Sequence, residues 1–450
     1  MKAIQRLLRD RVLIALLLVA IIYPGTIALI HSSETSVLDE WVFIDYTDKV
    51  FQEGYVKAGE RVGEYTNEIM SCSGVIPGST FGKCGATLPE NYKNLPYTGL
   101  TAAAAYTPTY FALTAAMGAP LRLVGVSPLD SWRLTGALWL AAAIAVFVAL
   151  LRLWKVRDSA ILPLGLLLIA SPYVWWAHSY VSTDAPSLLI GALLLYLATK
   201  FRRGESTGWA IVLVSVVGSA IKVTNLVSVG LVVVYLLGSW LFSRFRKTTK
   251  ILPKNEISSS RSGLENLTGI FPAKRIFWPI AAAIASIGIQ IGWSKFITAT
   301  AISTNQAEQG ISSPLTLSEL GLQTTNFLSS VWNYSPFLGH GIDFFFTPLA
   351  WIVIAGVVGS FFALKRVDDK SEIVTATLIA AVVMAPMLAI AVQVAQGAYF
   401  QLSPRYGASL LPAFLLCAGF LLRNIVMKWV LALYACGLFA VGVAAAFALS

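Results

Sequence analysis

Charge is what this 450-residue sequence has little of: Asp, Glu, Lys and Arg make up 12% of it, against 56% hydrophobic residues. A soluble domain carries about 25% charged and 45–50% apolar residues. The composition cannot clothe a water-facing surface, which excludes a soluble enzyme and a disordered chain. Cysteine is also scarce, at four residues, which excludes a disulfide-dense secreted module. The sequence has no zinc-ligand spacing, no Walker loop, no GxGxxG phosphate loop and no internal repeat, which argues against an ATP-driven pump.

What is present is a series of apolar runs along most of the chain, so a single-span receptor is excluded as well. Runs of the length that a bilayer requires occur at 12–30, 132–151, 159–177, 182–199, 208–222, 223–243, 276–296, 347–364, 373–394, 405–422 and 428–448. The expected architecture is an all-α polytopic membrane protein with about eleven transmembrane helices. The run 12–30 follows Lys2, Arg6, Arg9 and Arg11 and has no small-x-small cleavage site after it. It reads as an uncleaved first helix with its N-terminus inside.

One further stretch, Thr101 to Val126, contains Pro108, Pro120 and Arg122. If it does not cross, the inner segments 1–11, 152–158, 200–207, 244–275, 365–372 and 423–428 hold 23 of the 33 basic residues and 8 of the 23 acidic ones. If it did cross, every later basic cluster would face outward, against the positive-inside trend. The stretch therefore reads as an interfacial helix in a long first outer loop. The expected organisation is a first helix within 1–30, an outer loop over 31–131 and helices two to six over 132–243. A basic inner loop over 244–275, a helix at 276–296, a second outer loop over 297–346 and four helices over 347–450 follow. The net charge of +10 then belongs to inner loops that meet lipid headgroups, and nucleic acid is not expected as a partner. Asn266-Leu-Thr matches a glycosylation triplet, but on the inner side.

Candidate chemistry gathers on the outer side. Asp39 and Glu40 follow the first span directly, and Trp41, Phe43 and Tyr46 come next at helical spacing. This would hold a carboxylate at the depth of lipid phosphates, where desolvation raises its pKa towards that of a general base; Asp45 and Asp48 continue the polar side. Tyr106 and Tyr110 flank Pro108 and fit either an aromatic belt or a groove. A short turn carries Trp175, Trp176, His178 and Asp184. Asp184 fits either a helix cap or a site residue. Lys222 lies in membrane-embedded sequence, where a lysine is costly and usually functional. Arg405, beside Tyr406, is an outward arginine that needs an anionic partner. His340 is a weaker candidate. Cys72 and Cys84, in the outer loop, would close a short disulfide loop. Cys417 and Cys436 lie in apolar runs.

The order of these segments resembles that of the GT-C-fold glycosyltransferases that use polyprenyl-phosphate sugars: the protein O-mannosyltransferases, aminoarabinose transferases and arabinosyltransferases. Asp39-Glu40 is similar to that family's acidic motif in the first outer loop. Tyr106-Thr-Pro108-Thr-Tyr110 resembles its His-Pro-Pro-Leu-Tyr-Tyr helix start, without the histidine and one proline. Ser182-Thr183-Asp184-Ala185 resembles its Thr-Thr-Asp-Ala segment, Ala220-Ile-Lys222 its Ala-x-Leu-Thr-Lys segment, and Pro404-Arg405-Tyr406 its late Arg-Tyr motif. The resemblance covers residues 1–240 well and the last third loosely.

It implies a transferase at the outer face of the cytoplasmic membrane, moving a sugar from polyprenyl phosphate to a glycan, lipid or protein with inversion. Asp39 would be the base, with Glu40 as its substitute, and Asp184 would orient the acceptor or help to hold a cation. Lys222 and Arg405 would hold the donor phosphate, and Tyr106, Tyr110, His178 and Tyr406 would line the groove. The family divides on metal dependence, which leaves a divalent cation, Mg or Mn, open. From the residues alone, a transporter or flippase for a lipid-linked glycan or another anionic solute is the alternative.

Overall fold

The computed structural model describes residues 10–31, 34–36, 38–75, 80–249, 273–303, 312–332, 342–364, 369–396 and 399–449. Lys2, Arg6, Arg9, most of the basic 244–275 segment and His340 lie outside them. The described residues are predominantly helical, with isolated bridges in place of strands. Among the described residues, eight helices are long and apolar enough to cross a membrane. The protein is an all-α, multi-pass membrane protein. Large apolar side chains stand open on these helices, including Ile22, Leu29, Trp351, Phe362 and Leu433. A bilayer covers such faces without a cost.

Each of the eleven apolar runs is helical in part, but three fall short of a full span. The run 159–177 breaks at Ala170 into Asp158–Ile169 and Pro172–Ala177. The run 182–199 begins as an irregular turn and becomes helical at Ser187–Arg202. The run 208–222 is the 14-residue helix Gly208–Ile221, which stops at Lys222. A fourth run, 405–422, starts as the 3-10 turn Pro404–Leu410 before its α-helix Leu411–Leu421. These breaks matter, because each exposes carbonyl and amide groups that need partners in apolar surroundings.

Partners are present. At the end of Gly208–Ile221, the Gly218 carbonyl accepts from the Asn225 side chain, the Ser219 carbonyl from Gln290 and the Ala220 carbonyl from Thr107. The helix can therefore end inside the protein. Close approach between elements rests on glycine. A β-carbon on Gly136 would lie 2.2 Å from the His178 carbonyl oxygen, and one on Gly191 would lie 1.9 Å from that of Ser409. Those contacts bring Pro128–Leu153 against the turn after Ala177, and Ser187–Arg202 against Pro404–Leu410.

The first loop folds into a cap over the ends of these helices. Residues within 101–126 form Thr109–Leu123, a 15-residue helix about 22 Å long at 1.5 Å per residue, shorter than the bilayer's apolar core. It packs beside Glu40–Glu53, where Tyr46 stacks on Phe111 with centroids 4.1 Å apart. Trp41, Phe43, Tyr46, Phe111, Trp132 and Ile221 share one core. Asp45 does not lie on a polar face as its spacing suggests. It is buried, accepts the Gly63 amide at 2.6 Å and faces Lys49 at 3.3 Å. Cys72 is bonded to Cys84.

Replacing Gly191 with alanine should push the Pro404–Leu410 turn outward and lower stability by about 1–3 kcal/mol, the usual cost of overpacking. Thermal unfolding in detergent checks this; an unchanged midpoint would show that the close approach is not needed.

Candidate active site

Four discontinuities place four charged side chains together. Asp39 precedes Glu40–Glu53, Asp184 lies in the turn before Ser187–Arg202, Lys222 ends Gly208–Ile221, and Arg405 begins the Pro404–Leu410 turn. The Lys222 Nζ is 2.6 Å from Asp184 Oδ1, and Arg405 Nη1 is 3.6 Å from Asp184 Oδ2. Arg405 Nη2 is 3.3 Å from Asp39 Oδ2. The charges thus alternate along one chain: Lys222, Asp184, Arg405, Asp39. Exposure falls along it, with the Asp39 side chain 35% exposed and that of Asp184 only 1%. The outer end meets solvent and the inner end is dry.

Each member is held from behind. Asp39 adopts a left-handed backbone, φ 58°, and its side chain caps nothing in the helix that follows. Asp is among the few residues that tolerate this geometry, and it leaves the carboxylate free to turn to Arg405. Asp184 is not a helix cap either. The Ser187–Arg202 helix has no side-chain cap, while the Asp184 backbone carbonyl accepts from the Tyr173 hydroxyl at 2.9 Å. Arg405 lies 5.1 Å over the Trp176 ring and 5.5 Å from the Tyr406 centroid, and Lys222 lies 5.4 Å from Tyr406. The negative faces of these rings help to hold two cations close together. Tyr106 packs edge-on to Phe43. Burial and the nearby Asp39 carboxylate push its hydroxyl pKa up, so it stays protonated.

The other expected residues lie elsewhere. Glu40 is fully buried and pairs with Arg133 instead of with the other charged site residues. Its Oε1 accepts from Arg133 Nε at 2.8 Å and the Val181 amide at 2.9 Å, and its Oε2 from Arg133 Nη2 at 2.9 Å and the Ser36 amide at 2.8 Å. Its acceptor positions are filled by these four donors, in contrast to Asp39, which among the described residues faces Arg405 alone. Tyr110 does not line a groove: it is buried, and its hydroxyl accepts the Ser182 amide at 3.0 Å. His178 is likewise buried, 6.3 Å from Tyr173 between ring centroids, and forms interior wall. Tyr406 does flank the cations. Glu40 and Tyr110 together fix the backbone of Val181 and Ser182, two residues before Asp184.

Arg133 is the residue the sequence reading missed. It joins Glu40 to the backbone carbonyls of His31 and Glu34. Like Arg405, it is an arginine at the end of a span and needs an anion. Trp176 was visible only as one of several interfacial aromatics.

A divalent cation does not suit this donor set. Both Asp184 oxygens already face cations, and Asp39 shares Arg405, so a metal between the carboxylates would meet two positive side chains at close range. Among the described residues no group of three His, Cys, Asp or Glu side chains is gathered to ligate one.

No protein-family model and no curated protein matches the chain. Among solved structures it is similar to ArnT from Cupriavidus metallidurans in the apo state, at 15% identity and a TM-score of 0.43. The match covers 95% of this chain and 61% of that one, so the chain spans about three-fifths of that protein's length.

Glu40→Gln should lower stability by about 3–5 kcal/mol, because it strands the buried Arg133 guanidinium. A double variant, Glu40→Gln with Arg133→Met, should recover most of the loss. Melting curves of the two variants test this, and equal melting of wild type and Glu40→Gln would contradict the scaffold role.

Proposed function

We propose that the protein is a membrane glycosyltransferase of the GT-C type. It moves a sugar from a polyprenyl-phosphate donor to a hydroxyl of a glycan, lipid or protein at the outer face of the cytoplasmic membrane. The observation that carries this reading is the alternating chain of Lys222, Asp184, Arg405 and Asp39, with one carboxylate at its wet end and two buried cations behind it.

Two cations around one carboxylate form an electropositive seat for a phosphate. Asp39 sits at its rim with a half-buried carboxylate. In the donor-bound state the phosphate takes up Arg405 and Lys222, and Asp39 is released from Arg405. Asp39 then accepts the proton of the acceptor hydroxyl as that oxygen attacks the anomeric carbon. The bond from that carbon to the phosphate oxygen breaks, and its electron pair leaves with the polyprenyl phosphate. Lys222 and Arg405 stabilise the charge that develops there, which is where preorganised cations contribute most. Asp184 keeps both cations aimed, and Tyr406 and Trp176 supply apolar walls. Displacement in one step inverts the anomeric centre.

Asp39→Asn should reduce transfer by about 10²–10⁴-fold, the usual contribution of a general base, with donor binding retained. Lys222→Ala should instead weaken donor binding. Transfer of labelled sugar in proteoliposomes tests both. Near wild-type transfer by Asp39→Asn would remove it as the base. Movement of intact donor to the other leaflet, with no product, would favour the transporter reading.

A further inference from the structure

A second cluster of cations lies at the far ends of the same helices. Ser187–Arg202 runs from the candidate site to this end over 16 residues, about 24 Å at 1.5 Å per residue. There an open cavity of about 400 Å³ is lined by Leu153, Trp154, Lys155, Arg203, Asp369 and Lys370. Its wall is fixed: the Trp154 indole donates to Thr199 Oγ1 at 3.2 Å, and Arg203 lies 5.2 Å over the Trp154 ring while donating to the Leu153 carbonyl.

The acids around it are engaged by other cations. Asp10 and Asp158 pair with Arg152, and Glu372 and Asp369 pair with Arg202 at 3.2 and 3.5 Å. Among the described residues no carboxylate pairs with Lys155, Arg203 or Lys370. Helix dipoles account for Lys155 and Arg203, which follow the C-terminal ends of Pro128–Leu153 and Ser187–Arg202. They do not account for Lys370. It lies in the first turn of Asp369–Gln396, where the helix already presents positive charge, and its Nζ is 5.0 Å from the Phe420 centroid. Lys155 and Arg203 are exposed and Lys370 is half-buried, so the three cations converge on one open cavity, one of them against the dipole of its own helix, and an anion carrying more than one acceptor oxygen could meet all three. The half-buried Leu153 lines the cavity at the end of the apolar membrane-spanning helix Pro128–Leu153.

We propose that this cavity binds the phosphate of an anionic membrane lipid in the leaflet opposite the carboxylate–cation site. Arg203 supplies a planar fork of donors to the phosphate oxygens, and Lys155 and Lys370 supply point charges. The bound headgroup ties together the ends of Pro128–Leu153, Ser187–Arg202 and Asp369–Gln396.

The test is native mass spectrometry of the full-length protein titrated with phosphatidylglycerol or phosphatidylcholine. The variants are Lys155→Gln/Lys370→Gln and the triple variant that adds Arg203→Gln. Phosphatidylglycerol affinity should fall about tenfold or more in the double variant and further in the triple. The melting temperature of the double variant in phosphatidylcholine should match wild type, showing that it folds. Phosphatidylglycerol should raise the wild-type melting temperature and leave that of the triple variant unchanged. Equal phosphatidylglycerol retention by wild type and double variant would overturn the proposal. Inorganic phosphate at millimolar concentration should leave the melting temperature unchanged; a rise equal to the lipid's would assign the cavity to a soluble phosphate instead.

Discussion

An unpartnered charge cannot persist among apolar helices, and most of the architecture near the candidate site follows from that constraint. Asp184 is almost wholly buried, so it must be shared between Lys222 and Arg405. Removing one member of a buried pair costs about 3–5 kcal/mol, because it leaves the other charge stranded. The same reasoning explains Glu40, whose two oxygens meet two guanidinium nitrogens and two backbone amides. Two adjacent acids thus have different work. Asp39 faces a partly wet opening and Glu40 holds the floor beneath it.

The breaks in the helices are the second consequence. A charged side chain at the end of a short helix reaches the site without a long reach through apolar packing. Lys222 does so where Gly208–Ile221 stops, and Arg405 where the 3-10 turn Pro404–Leu410 begins. The freed backbone groups are not left unsatisfied, since Thr107, Asn225 and Gln290 take up three carbonyls. Thr107 comes from the first loop, so closing the helix end also docks that loop beside the site.

Much of this was legible in the sequence. The apolar runs gave the helices because their length and composition leave few alternatives. Asp39, Asp184, Lys222 and Arg405 stood out because a charge near a span is costly and therefore informative. What the sequence concealed was direction. Glu40 and Asp39 are neighbours, yet the left-handed backbone at Asp39 turns their side chains to different partners. Tyr110 and His178 have the composition of groove residues but lie inside, a matter of packing against Ser182 and Gly136 that local pattern does not encode. Arg133 was legible by the logic applied to Arg405. The breaks in 159–177 and 182–199 were hidden because continuous hydropathy does not distinguish a bent path from a straight one.

Catalysis of the proposed kind requires that the two buried cations form a phosphate seat that competes with Asp39 for Arg405. Electron cryomicroscopy of the protein with polyprenyl phosphate tests this most directly. The expected result is phosphate density within hydrogen-bonding distance of both Lys222 and Arg405, with the Asp39 carboxylate swung clear of the guanidinium. Phosphate bound elsewhere, with the Arg405–Asp39 pair intact, would contradict it.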